Sequence, residues 1–101
     1  MLDIAAAFTR FPAGRFRGDG PYSGERFRED FLIPALEKHG NVTLRLDGTM
    51  GYGSSFPEEV FGGLVRANRF DVSLLPSMIT LESRDRSLID EITEYLTATR
   101  H

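Results

Sequence analysis

The stretch Asn41 to Asp47, NVTLRLD, constrains this chain more than any other. Val42, Leu44 and Leu46 alternate with Thr43 and Arg45, which is the period of a strand with one buried face. A glycine-bearing loop, Gly48 to Gly53, follows. After it, Phe56, Val60 and Leu64 recur every four residues with Phe61 and Val65 alongside, which predicts an amphipathic helix from Ser55 to Asn68. A strand that hands over to such a helix is a building unit of an α/β layer.

The flanking sequence extends the pattern. Ser23 is placed to cap a helix reaching Lys38, with Glu25 in its first turn and Lys38 and His39 at its end. Phe27, Phe31 and Ala35, with Leu32 and Leu36, make its buried stripe, and Gly40 is its natural stop. Pro34 cannot donate to the carbonyl of Asp30, so a kink is expected there. Asp3 to Thr9 reads as a first strand, with Ala5-Ala6-Ala7 keeping a helix open as the alternative. Gly14 to Arg17 reads as a short strand among turns.

Further on, Asp71 to Leu75 suggests one helical turn stopped by Pro76, and Met78 to Glu82 a strand. Asp85 should cap a last helix cored by Leu88, Ile92, Tyr95 and Leu96. The expectation is one α/β domain over residues 1–101, with a small mixed β-sheet of about four strands packed against three to four helices.

Composition excludes several classes. With 41% hydrophobic and 27% charged residues the chain has the makings of a globular core. It has no cysteine, hence no disulfide, thiolate metal site or thiol nucleophile, which fits a reducing compartment. The net charge of −3 argues against a nucleic-acid binder. No apolar run approaches the ~20 residues that a membrane span needs. The start, MLDIAAAFTRFPAGRFR, is read as structure rather than as a transit peptide, and a cytoplasmic protein is expected.

Chemistry narrows to one stretch, GYGSSFPEEVFGGLVR. Ser55 and Glu58 have the spacing of a capping box, and Pro57 is harmless in a first helical turn. A serine there also lies beside unpaired helix N–H groups, a setting that suits a phosphate. Glu58 and Glu59 lie one turn on and would repel it, so the surface could be recognised in one charge state and rejected in the other. Gly62 and Gly63 cost roughly 0.5–1 kcal/mol each relative to alanine in mid-helix, which implies close approach by the sheet or by a partner.

Five arginines, at 10, 15, 17, 26 and 28, are interleaved with aromatics upstream. Internal salt bridges are one use for them. Arg15 and Arg17 are also candidate contacts for a phosphate or an acidic surface. His39 and His101 have no ligand-spaced companion, and the Gly-x-Ser-x-Gly elbow of serine hydrolases is absent. No catalytic set, metal site or cofactor is expected, and the chain reads as a non-enzyme.

Gly14-Arg15-Phe16, then GPYSGERFRE (residues 20–29), then GYGSSFPEEVFGGLVR (51–66), then SLIDEI (87–92), resemble in this order the STAS-like family of uncharacterised bacterial proteins. That family is distantly similar to STAS domains, the fold of anti-sigma-factor antagonists. In those antagonists a partner kinase phosphorylates one of two serines in an Asp-Ser-Ser-Gly turn. The resemblance maps that turn onto Ser54 and Ser55, with Gly53 and Phe56 replacing the flanking aspartate and glycine. It implies a regulatory module with a protein partner of the ATPase-type kinase class, Ser54 and Ser55 as the switch, and Glu58, Glu59, Gly62 and Gly63 on the partner face. A small phosphorylated ligand or nucleotide at the serine turn is the alternative.

Overall fold

The computed structural model describes residues 1–97. Three parallel strands form the sheet in the order β1 (Leu2–Asp3), β2 (Val42–Arg45), β3 (Ile79–Glu82). Leu2 pairs with Leu44, and Val42 through Arg45 pair with Ile79 through Glu82. Parallel neighbours need long crossovers, and helices supply them. Helix α1 covers residues 24–39 between β1 and β2, and α2 covers residues 55–67 between β2 and β3. A short α3 (Leu75–Met78) precedes β3, and α4 (Arg86–Thr97) follows it.

The alternation in NVTLRLD is realised. Val42, Leu44 and Leu46 are buried beneath the helices, whereas Arg45 faces solvent on the opposite side. The core beneath them joins Phe27, Leu32, Ile33 and Leu36 of α1 to Phe56, Val60, Phe61 and Leu64 of α2, with Ile92 and Leu96 closing it from α4. The opposite sheet face, carrying Arg45, Thr80 and Glu82, is polar and exposed. Among the described residues, helices therefore cover one side of the sheet only.

The first expected strand is cut to Leu2–Asp3 and the one expected at Gly14 to Arg17 does not form, so the sheet is a three-stranded parallel one rather than a mixed four-stranded one. After Asp3 the chain turns into a wide helical turn (Ile4–Phe8), which the Asp3 carboxylate caps by accepting the Ala6 N–H at 3.3 Å. The Thr9 N–H closes it on the Ile4 carbonyl at 2.8 Å, five residues back. Three alanines favour the helical course. Between Gly14 and Arg17, the Asp19 carboxylate accepts the N–H groups of Arg15 and Phe16 at 3.1 and 2.8 Å, removing donors that a strand would use. Gly14 itself has φ +90°.

The helix signals hold in outline and are corrected in detail. Ser23 caps α1 by accepting the Arg26 N–H at 3.2 Å, Gly40 ends it at φ 77°, and Asp85 caps α4 through Leu88 at 3.1 Å. Pro34 is accommodated by a widened turn at Arg28–Leu32, in which the Ile33 N–H reaches back to Arg28. Such a turn takes up a hydrogen-bond mismatch within a helix. Pro76 starts α3 rather than stopping a helix, since a missing N–H costs nothing in a first turn. Asp71 caps the preceding turn by accepting from the Ser73 N–H and hydroxyl.

Candidate functional site

The serine turn begins where β2 ends. Gly48, Gly51 and Gly53 all adopt positive φ (98°, 112° and 65°), conformations that side-chain-bearing residues avoid. Tyr52 fastens the loop between them. Its hydroxyl donates to the Leu46 carbonyl at 2.5 Å, and its ring packs 5.7 Å from that of buried Phe56. Burial pushes the Tyr52 phenol up to about 12.

Ser54, at the cap position, and Ser55, the first helical residue, are both exposed. The expected capping box between Ser55 and Glu58 is not formed. Ser54 takes the cap position with near-helical backbone (φ −96°, ψ −29°) and makes no side-chain cap bond. The third helical residue is Pro57, which has no N–H for a cap to accept. The Glu58 carboxylate, the other half of the box, is drawn to arginines instead. Among the described residues neither serine hydroxyl has a hydrogen-bond partner.

Both serines line a cleft of about 390 Å³ whose other walls are Pro12 to Gly14 and Met50 to Gly53, with Phe56 at its base. The two walls are tied where the Met50 N–H donates to the Arg10 carbonyl at 2.8 Å. Met50 of that lining is 69% exposed, and Phe11, the sequence neighbour of Pro12, is 62% exposed, both more than any other large apolar side chain but Met1. The cleft is thus edged by apolar surface and by unengaged hydroxyls.

Glu58 and Glu59 lie on a widened turn of α2 (Glu58–Gly62) and meet three arginines. Arg15 pairs with Glu58 and, at 3.2 Å, with Glu59. Arg66 pairs with Glu58 at 2.6 Å. Arg28 donates to the Glu59 carboxylate at 2.7 Å and to Glu29 at 2.9 Å. The hydrogen bond from Arg66, helped by that from Arg15, holds the Glu58 carboxyl below its ordinary value against the opposing effect of burial.

These pairs explain Gly62 and Gly63. A Cβ on Gly62 would lie 2.5 Å from Glu58 Oε2, and one on Gly63 would collide with the Arg28 guanidinium. Close approach is therefore intramolecular at both positions, and Glu59, Gly62 and Gly63 are buried. Arg17 is likewise engaged, on Asp30 at 2.9 and 3.1 Å, and its guanidinium holds that carboxyl below the usual range.

The structure brings Ser54, Ser55, Glu58, Glu59 and Arg15 into one region and leaves Arg17 on a separate pair. Arg28 forms the internal salt bridges expected among the upstream arginines, whereas sequence reasoning missed Arg66, Tyr52 and Gly24. A Cβ on Gly24 would lie 2.8 Å from the Phe56 carbonyl, so that glycine lets α1 touch α2, and its signal was a glycine directly after a capping serine. His39 is exposed, and no group of metal-ligating side chains exists among the described residues; His101 lies outside them. Among the described residues no helix is long and apolar enough to cross a membrane.

A family model described as a STAS-like domain of unknown function (DUF4325) matches residues 23–79, more than half of the chain and all of the span from Ser23 to the start of β3. No curated protein and no solved structure matches the chain significantly.

Proposed function

This chain belongs to the STAS-like domain family of unknown function, and from that membership we propose that it is a cytoplasmic, non-enzymatic regulatory module that works by binding a protein partner. One observation carries the reading. Ser54 and Ser55 are exposed and unbonded in a cleft lined by exposed Met50, with exposed Phe11 next in sequence to its Pro12 wall, so they do nothing for the fold that their position would ordinarily demand of them. Exposed apolar side chains beside uncommitted polar groups are the makings of a contact surface. In this reading a partner of the ATPase-type kinase class binds the unmodified turn and phosphorylates one serine, and the added charge repels it.

The partner covers the cleft and the serines rather than the buried Glu59, Gly62 and Gly63, which arginines of the same chain already cover. The test has two arms. Intact mass is measured after incubation with ATP and an ATPase-type kinase encoded near this chain, and binding of that kinase is compared between the native chain and a Ser54→Asp, Ser55→Asp double variant. Added phosphate together with weaker binding of the variant is expected. No phosphate and equal binding would sink the switch.

A further inference from the structure

We propose that Arg15 is a transferable arginine: it bridges Glu58 and Glu59 in the unmodified chain and moves to the phosphate when Ser55 is phosphorylated. The inference rests on the switch reading above and adds how the fold receives the charge. The kinase forms a bond from Ser55 Oγ to the γ-phosphorus of a nucleoside triphosphate, releases the nucleoside diphosphate, and takes up the hydroxyl proton on its own base. What remains is a dianion one helical turn from two carboxylates, an arrangement that needs a cation.

Arg15 can leave without orphaning a carboxylate. So can Arg66, but Arg66 stands eleven residues beyond Ser55 on α2, about 16 Å along the helix axis, whereas Arg15 comes from the segment that walls the cleft. Glu58 keeps Arg66 at 2.6 Å. Glu59 keeps Arg28 at 2.7 Å and Arg66 at 3.5 Å. Arg28, by contrast, is nearly buried on α1 and also holds the Glu59 carbonyl at 2.7 Å. Arg15 is a third exposed and lies outside any helix or strand, two residues before the 3-10 turn at Arg17–Asp19. Gly14, its neighbour in sequence, shares the cleft wall with Ser54 and Ser55. A guanidinium matches phosphate oxygens in a two-pronged pair, so the exchange trades a shared carboxylate contact for a stronger one.

The experiment installs phosphoserine at position 55 of the whole chain during translation, so its outcome is independent of any kinase or partner. The phosphate is titrated by ³¹P NMR in the native background and in Arg15→Gln and Arg66→Gln variants. The expected result is a phosphate pKa at least about half a unit lower in the native background than in Arg15→Gln, with Arg66→Gln resembling the native background. Equal values in native and Arg15→Gln chains, or loss of the shift only in Arg66→Gln, would overturn the proposal. A readout without substitution guards against a variant that does not fold: the Arg15 side-chain N–H resonance should titrate with the phosphate, and its indifference to the phosphate also overturns the proposal. If the exchange is seen while no kinase modifies the chain, the switch reading fails and the exchange stands.

Discussion

The Nη1 of Arg28 donates twice to Glu59, to its carboxylate and to its backbone carbonyl, at 2.7 Å each. One guanidinium therefore joins α1 to both the side chain and the main chain of α2. Their side chains are 11% and 8% exposed, so each is the other's substitute for water.

Replacing Arg28 by alanine leaves Glu59 buried with only Arg15 and Arg66, the two more exposed arginines. A loss of about 3 kcal/mol is expected, as for a buried pair broken from one side. Urea unfolding of Arg28→Ala measures it. A loss within that of an ordinary surface pair, below about 1 kcal/mol, would show that water replaces the guanidinium.

Gly63→Ala should destabilise although alanine is the better helix former by about 1 kcal/mol. The added methyl meets the Arg28 guanidinium, while the backbone at Gly63 (φ −62°) suits any residue. Gly62→Ala should cost less, because it meets the end of the more exposed Glu58 side chain. Thermal unfolding of the two variants ranks them, and a gain in Tm for Gly63→Ala would contradict the packing described.

Acid should weaken the fold through Glu58. Its folded pKa is depressed from an ordinary 4.5, with Arg66 as the first cause, so its contribution is present above that value and fades as pH falls through the depressed one. Stability measured by urea from neutral to strongly acidic pH should slope down in that window. The slope should flatten in Glu58→Gln, and an unchanged slope would assign it elsewhere.

Tyr52→Phe keeps the ring on Phe56 and deletes the bond to the Leu46 carbonyl, for an expected loss of about 1 kcal/mol. The native phenol, raised from 10 to about 12 chiefly by burial, favours the folded chain below pH 10, and that advantage is lost as pH rises towards 12. Ultraviolet absorbance of the tyrosinate should lose a late-titrating component in the variant. Tyr95 supplies the other late component, because its bond to Glu91 also raises it to about 12.

Phe11→Ser and Met50→Ser should leave stability within about 0.5 kcal/mol, since both side chains are largely in solvent. Partner affinity, by titration calorimetry, should fall in both. Unchanged affinity would move the contact surface off the cleft.

Periodicity made the regular elements legible. Val42, Leu44 and Leu46, the α2 stripe, and the caps at Ser23, Gly40 and Asp85 all lie where local pattern puts them. The early end of the first strand was legible only as the helical alternative at Ala5-Ala6-Ala7, and the missing strand at Gly14 to Arg17 was not legible. Asp3 and Asp19 decide both by accepting particular backbone N–H groups, a choice that alternation does not encode. The serine turn was visible as a motif. Its capping role was misassigned because Arg15 and Arg66 capture Glu58 from 43 residues upstream and 8 downstream, separations at which helical spacing says nothing. Gly62 and Gly63 announced close approach, while the identity of the neighbour, Arg28 on another helix, became readable only with the fold in hand.

The widened turn at Glu58–Gly62 is, in geometric terms, one surplus residue stored in a helix. Deleting a residue inside it would leave Phe56 and Leu64 on the faces they now occupy. Deleting Gly63, just outside it, would rotate everything beyond by about 100° and tear Leu64 from the core. A one-residue deletion is therefore absorbed here, at the pair of glutamates, more readily than elsewhere in α2.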